Sequence, residues 1–253
     1  MDNNTLLNTR KVFAMLHLKG VTGKDIFDRA LRETDIYMEN GVDAVLVENY
    51  FGAPENVAHV LSHFQKHRPE ITYGVNLLGS PEDAFEVALK YGAKFIQIDS
   101  VIGHWLPQAD AIKGMVLSCL RQKYQIPLMG GVRFKYKEVL SGRALAEDLR
   151  VGMERCDAVV VTGAKTKEET PLEKIRSFKK TLGDFPLIVG AGVTPQNLVD
   201  SFPYAGGFIV GSYFKEEHTD TGEVDRGYVR EFMQTLRGLK IDSLKKVPHQ
   251  AHR

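Results

Sequence analysis

The sequence predicts a single closed (β/α)8 barrel, and three observations carry that expectation. Eight short apolar runs alternate with longer amphipathic segments from one end of the chain to the other. The eighth run has an amphipathic segment after it, so eight complete strand–helix units are present. The chain has 253 residues, and one such barrel typically takes about 250. An open doubly wound sheet is the alternative, but eight complete units favour closure. The expected domain is the whole chain, residues 1–253, with a core over about 11–238 between polar tails.

Each element has a local reason. The apolar runs are KVFAMLHL (11–18), DAVLVEN (43–49), ITYGVNLL (71–78), KFIQIDS (94–100), PLMGGVRF (127–134), DAVVVTG (157–163), PLIVGAGV (186–193) and GFIVGSYF (207–214). They are rich in β-branched or aromatic residues, have no internal proline, and are nearly continuous in apolarity, as strands covered on both faces require. Between them, Asp25 to Asn40 carries Ile26, Ala30, Leu31, Ile36 and Tyr37 at near-helical spacing, with Gly41 as a stop. SPEDAFEVALKYG opens on a serine cap and a first-turn proline and ends at Gly92. Thr-Pro openings recur at 170 and 194, and segments 107–124, 144–155 and 225–237 supply further helices. GVDAVLVEN resembles RCDAVVVTG four units later, and GAKFIQIDS resembles GGFIVGS. Two similar half-barrels would give that echo, as would the general likeness of buried strands. The tail from Lys240 is polar and expected to fray.

Composition narrows the function classes. Thirty-three basic and 32 acidic residues leave a formal charge of +1, which gives no global reason to bind nucleic acid or an anionic membrane. No run approaches the roughly 20 apolar residues that span a bilayer, and the N-terminus lacks the features of a secretory signal. A cytoplasmic location is therefore expected. Cys119 and Cys156 have no metal-type spacing and are expected to be buried thiols.

In a β/α barrel the working face is the C-terminal end of the strands. Those ends offer His17, Lys19, Glu48, Asn49, Asn76, Asp99, Ser100, Arg133, Lys135, Thr162, Gly163, Gly190, Gly192, Gly211 and Ser212. Buried polar groups without partners each cost a few kcal/mol, so this concentration points to a pocket. Gly190, Gly192, Gly211 and Ser212 on strands seven and eight are the phosphate-holding candidates, with Thr162 and Gly163 beside them; tight turns alone would also use glycine. Glu48 and Asp99 suit an acid–base pair, a divalent ion such as magnesium, or salt bridges to Lys135 and Arg133. No third strand-end carboxylate strengthens the metal case, and no metal ligand is assigned. Arg133 or Lys135 would otherwise stabilise developing negative charge, and Lys135 as a Schiff-base nucleophile would need an apolar pocket. His17 and Lys19 are placed to position substrate. His104 and Trp105 either cover the pocket or pack a loop. His59, His63 and His67 share one face of the second helix, away from the barrel mouth, and suit solvent or a homo-oligomer contact better than a metal.

MLHLKG (15–20), ENGVDAVLVENYFGAP (39–54), YGVNLL (73–78), VTGAKT (161–166), VGAGVTPQNL (189–198) and GFIVGSYFK (207–215) together resemble the BtpA/SgcQ family from about Val12 to Arg237. The resemblance implies a β/α barrel related to phosphate-binding members of that fold. It implies a pocket containing Glu48, Asn49, Asn76, Thr162, Gly163, Gly190, Gly192 and Gly211. The family's founding member is associated with photosystem I assembly or stability, other members sit among sugar-uptake genes, and no reaction comes with the name. Strand five departs from the pattern: Gly131, Val132, Arg133, Phe134 and Lys135 stand where Asp-Val-His-Val-Lys is frequent, and Asp99 stands where asparagine is common. Those changes would move the catalytic charge, alter the substrate or remove activity. The expected function is an enzyme acting on a small phosphorylated metabolite, a phosphosugar or phosphoribosyl compound, by lyase, isomerase or transferase chemistry. A non-catalytic assembly factor and a metal-assisted phosphoester hydrolase are the alternatives.

Overall fold

The computed structural model describes residues 6–166 and 168–245. Each apolar run becomes a parallel strand: β1 (Lys11–Leu16), β2 (Ala44–Glu48), β3 (Tyr73–Asn76), β4 (Ile96–Ile102), β5 (Leu128–Val132), β6 (Ala158–Val161), β7 (Leu187–Val189) and β8 (Gly207–Val210). They pair in sequence order, and β8 returns to β1 with Lys11 opposite Gly207 and Ala14 opposite Val210. The barrel is closed. Most strands are shorter than their apolar runs, because the polar residues at their C-terminal ends lie in loops at the mouth.

Helices α1 (Gly23–Glu39), α2 (Pro54–His67), α3 (Pro81–Tyr91), α4 (Pro107–Tyr124), α5 (Leu145–Arg155), α6 (Leu172–Leu182), α7 (Pro195–Ser201) and α8 (Arg226–Lys245) follow the strands in turn. Thr22 opens α1 with a capping box: its hydroxyl accepts from the Asp25 amide, and the Asp25 carboxylate accepts from the Thr22 amide, each at 3.1 Å. Ser80 caps α3, which stops at a left-handed Gly92. Thr194 caps α7, but Thr170 does not cap α6. Its hydroxyl donates to the Gly190 carbonyl at 2.7 Å, tying the loop before α6 to the end of β7. The last helix continues past 237 to Lys245, so the expected fray from Lys240 is helical there, and residues 246–253 lie outside the described residues.

Two apolar layers hold the barrel. Inside it, Phe13 meets Phe95 edge to face at 5.1 Å, with Leu46, Met129 and Ile188 around them. Burying side chains of this kind is worth about 1.5–3 kcal/mol each. A Cβ on Gly74 would lie 2.3 Å from the Phe95 ring, so glycine there makes room for the barrel filling. Leu6 and Leu7 join the same cluster at 4% and 1% exposure. The core therefore begins before residue 11, and the N-terminal segment is not simply a polar tail. The second layer lies between strands and helices.

Cys156 is buried in this framework, and burial pushes its thiol up to about 12. Cys119 is exposed, contrary to the expectation of two buried thiols. It lies one turn beyond Met115 on α4, and Ile112 and Met115 on that helix are also exposed, at 59% and 63%. Among the described residues, no helix is long and apolar enough to cross a membrane.

One seam of the barrel is short, held by backbone bonds from the Val75 amide to the Phe95 carbonyl at 3.2 Å and from the Lys94 amide to the Tyr73 carbonyl at 2.8 Å. β3 and β4 share a single paired position, Val75 with Ile96, and the β4–β5 register shifts between Ile98 and Ile102. Beyond Ile96, β4 therefore departs from β3 towards the mouth.

Candidate active site at the barrel mouth

Alternation along β4 puts Gln97 and Asp99 on the same face, and both line a cavity of ≈160 Å³ at the C-terminal end of the barrel. His17, Glu48, Lys135 and Thr162 line the same cavity, together with Gly190, Gly192, Gly211 and Ser212. The mouth thus brings together nine of the expected strand-end groups, with Gln97, from seven of the eight strands.

The centre is a chain of buried polar groups. Asn76 uses its side-chain amide twice, donating to Glu48 Oε1 at 2.6 Å and to Asp99 Oδ1 at 3.0 Å. The Gln97 amide donates to the same Asp99 oxygen at 3.0 Å. Burial pushes the Glu48 carboxyl up to about 8, and the negative charge of Asp99 adds to the rise. At neutral pH Glu48 is mostly protonated, a proton donor facing the cavity.

His17 stands on the other side of Glu48, its Nε2 3.7 Å from Glu48 Oε2. Behind it, Lys215 Nζ lies 2.9 Å from His17 Nδ1 and 3.1 Å from the Asp220 carbonyl. Burial, then the Lys215 charge, hold His17 well below the usual imidazole range. With Lys215 donating to Nδ1, the ring proton belongs on Nε2, facing Glu48; the 3.5 Å contact of Nδ1 with the Asp220 carbonyl is too long to reverse that. Lys215 is 1% exposed, and burial lowers its own ammonium to about 8. Its charge is balanced by Glu33, itself held 2.7 Å from Arg29 Nε. Tyr50 packs against His17, its ring tilted by 37° at 5.1 Å between centres, and lines the cavity.

At the far wall the chain is shaped for close approach. Ala191 and Gly192, after β7, both have left-handed φ of about +60° (61° and 59°). A Cβ on Gly192 would lie 2.6 Å from the Glu169 amide nitrogen, so no larger residue fits without movement. Among the described residues, the amides of Ala191, Gly192, Gly211 and Ser212 donate to no protein acceptor, whereas Gly190 donates to the Val161 carbonyl at 2.9 Å. Gly190 therefore lines the cavity with its amide already used. Lys135 reaches into this side, its ammonium donating to Thr166 at 2.9 Å and its amide to Thr162 at 3.1 Å. Leu18, Arg133, Tyr136, Glu217 and His218 are also left-handed and, like Ala191, lie in loops that follow strands at the mouth.

Other strand-end residues lie elsewhere. Arg133 does not line the cavity: its Nε pairs with the buried Asp148 at 2.7 Å and its Nη2 donates to the Arg143 carbonyl at 2.6 Å. The positive φ of 47° turns it there, away from Glu48 and Asp99. Asn49 binds the Leu78 amide at 2.7 Å and braces the loop after β2 against that after β3. Gly163 is needed because a Cβ would meet the Glu168 carbonyl at 2.6 Å. Lys19 donates to the Thr221 carbonyl at 3.1 Å. His104 is buried, its Nδ1 2.7 Å from the Glu138 carbonyl. His59 stacks on Phe27 at 4.2 Å, and His63 and His67 follow along the same helix at 4.9 Å from each other. Among the described residues, no group of three or more His, Cys, Asp or Glu is arranged to hold a metal ion.

Sequence reasoning missed Lys215, Gln97, Tyr50 and Thr166. Gln97 was legible, being two residues before Asp99 on one strand. Lys215 sits at the end of GFIVGSYFK, but its apolar neighbours hide that it turns inward.

The fold and this mouth define a β/α-barrel protein with a buried Glu48–Asn76–Asp99 cluster opposite a backbone-lined recess. The BtpA family profile matches residues 8–238, and the chain belongs to that family. An uncharacterised protein of Methanocaldococcus jannaschii is 26% identical over 93% of this chain and 98% of its own length. The putative sgc region protein SgcQ of Escherichia coli is 24% identical, covering 93% and 97%. Among solved structures, thiamine phosphate pyrophosphorylase from Pyrococcus furiosus superposes with a TM-score of 0.63 at 14% identity, covering 92% of this chain and 98% of that one. Phosphoribosyl anthranilate isomerase from Thermus thermophilus gives 0.60 at 15%, covering 90% and 99%. At such identities the likeness is one of fold.

Proposed function

We propose that the chain is an enzyme acting on a small phosphorylated metabolite of the phosphosugar or phosphoribosyl type, by proton-transfer chemistry. The observation that carries this is the pairing of unlike groups in one cavity. Glu48 holds a proton near neutral pH, and Asp99 stands beside it through a shared Asn76. Two carboxyl groups whose surroundings separate their proton affinities are the usual means of supplying acid and base together. In this reading Glu48 delivers a proton to a carbonyl or leaving oxygen. Asp99 withdraws one from the neighbouring carbon, so an isomerisation conserves protons overall. Lys135 stabilises the developing oxyanion. The amides of Gly192, Gly211 and Ser212 suit the phosphate, a role supported by their lack of a protein acceptor. The names of the fold neighbours, a thiamine phosphate pyrophosphorylase and a phosphoribosyl anthranilate isomerase, agree with that ligand class.

A thermal-shift screen against ribose 5-phosphate, other phosphosugars and inorganic phosphate, with and without magnesium, tests the proposal. A ligand at 100 times its Kd adds about 2.7 kcal/mol of stability, a clear rise in Tm. The rise should vanish in Gly192→Val, judged against that variant's own unliganded Tm. No response from any phosphorylated compound would shift the balance to a docking role in assembly. The exposed Leu106, Ile112 and Met115 around α4 favour that second reading. It requires Glu48→Gln to retain full biological function.

A further inference from the structure

We propose that the ligand of this site carries a planar aromatic or heteroaromatic group, seated in a second cavity at the β3–β4 seam. The inference rests on the preceding reading of the mouth as a phosphoribosyl-type site, and it names what the other end of the ligand must be.

The second cavity measures ≈460 Å³ and lies between the loop after β3, the upper part of β4 and α4. It lies where β3 has ended at Asn76 and β4 continues to Ile102 without a paired neighbour on that side. It adjoins the mouth: Leu78, Asp99 and Lys137 line both cavities. In a closed ring of eight strands in sequence order, the β3–β4 seam is diametrically opposite β7–β8. A ligand anchored by phosphate at Gly192 and Gly211 and crossing Glu48 and Asp99 would therefore point its remaining substituent into this cavity.

Its walls describe that substituent. Leu77, Ile98, Val101, Ile112, Val116 and Trp105 give an apolar lining. Ile112 borders the cavity and remains 59% exposed. Lys113 Nζ sits 5.2 Å from the centre of the Trp105 ring. Asn76, Glu82, Asp99, Ser100, Lys113 and Lys137 add polar groups to that lining. Ser100 is 6% exposed, and its Oγ has no hydrogen-bond partner among the described residues. A buried hydroxyl of that kind calls for a polar atom on whatever fills the space. Apolar faces, a tryptophan and an unpaired Ser100 hydroxyl among polar neighbours suit a ring bearing a nitrogen or oxygen, and the volume admits one or two fused rings. Asp99 at the junction would then lie near the bond joining ring to sugar.

Trp105 is the sole tryptophan of the chain, so its emission reports on this cavity directly. The full chain is titrated with ribose 5-phosphate, with three aromatic phosphoribosyl probes (AMP, UMP and nicotinate mononucleotide), and with adenosine. At least one aromatic probe should change Trp105 emission and bind about tenfold or more tighter than ribose 5-phosphate, the order that ring stacking contributes. Val116→Phe, filling the cavity from α4, should remove that advantage while leaving ribose 5-phosphate binding unchanged. Ser100→Ala should weaken the same probe severalfold without altering Tm. Equal binding of the sugar phosphate and all three aromatic probes, with Trp105 silent, would overturn the inference and leave the phosphosugar proposal standing. An adenosine response without any response to ribose 5-phosphate would support the aromatic cavity and overturn the phosphate reading. Silence from every probe would overturn both.

Discussion

Replacing Glu48 by glutamine should make the protein less stable than wild type, or equal to it, in mild acid and more stable in mild base. The folded protein raises the Glu48 carboxyl from its ordinary 4.5 to about 8. Between those limits the folded state keeps a proton that the unfolded chain has released, so raising the pH favours unfolding. Each unit of separation is worth about 1.4 kcal/mol, which puts the whole interval at about 5 kcal/mol as an upper bound. Lys135 after β5, Lys215 after β8 and the Asn76 amide oppose the rise, while burial and Asp99 drive it. About 3 kcal/mol is a reasonable expectation with those groups free to rearrange. Glutamine imitates the protonated acid: its oxygen accepts from Asn76, and it cannot ionise. Losing the hydroxyl near His17 adds an offset of about 1 kcal/mol that is independent of Glu48 ionisation. The difference in slope is therefore the result to read. Urea unfolding at half-unit steps from pH 5 to 8.5, for both proteins, gives it. Wild-type stability should fall relative to the variant across that range, and parallel curves would show that Glu48 ionises normally and that the acid role is wrong.

Two further substitutions test the surroundings. Lys215→Met removes the donor and the positive charge next to His17 Nδ1, so the His17 titration followed by NMR should move up towards the usual imidazole range, and an unchanged titration would remove Lys215 from the chain of buried groups. Among the described residues, Arg133→Ala leaves the Asp148 side chain with Ser141 and the more distant Arg143. It should cost about 2–3 kcal/mol in chemical denaturation yet leave phosphosugar binding intact, and a binding defect without loss of stability would restore Arg133 to the site.

Much of the fold was written in the local sequence. Ser80, Pro81 and Gly92 each do in α3 what their chemistry favours, and the alternation of apolar runs with helices is enough to order eight strands. What escaped was set by tertiary contact. Thr170-Pro171 has the same local form as Thr194-Pro195, but a carbonyl at the end of β7 lies within reach of Thr170 and captures its hydroxyl. The helix then starts without that cap. Leu6 and Leu7 look like a short apolar interruption in a polar tail until the barrel interior is present to receive them.

The site divides along the same line. Residues whose strand position fixes their direction, such as Glu48, Asn76 and Thr162, could be read from alternation, and they converge. Arg133 could not, because one left-handed residue after β5 reverses where a side chain goes. Lys215 is the sharper case. A lysine after Tyr213 and Phe214 looks like an ordinary return to solvent, yet the loop that follows β8 folds its ammonium against His17, with Asp220 and Glu33 completing its surroundings. Such an arrangement costs stability, since it buries an ammonium and a carboxyl in the same wall and leaves each with a shifted proton affinity. The apolar residues that cover β1 and β8 elsewhere would close that wall with less loss. The proposed proton-transfer role would account for that cost, because a site that must hold a proton at neutral pH needs groups held in this way.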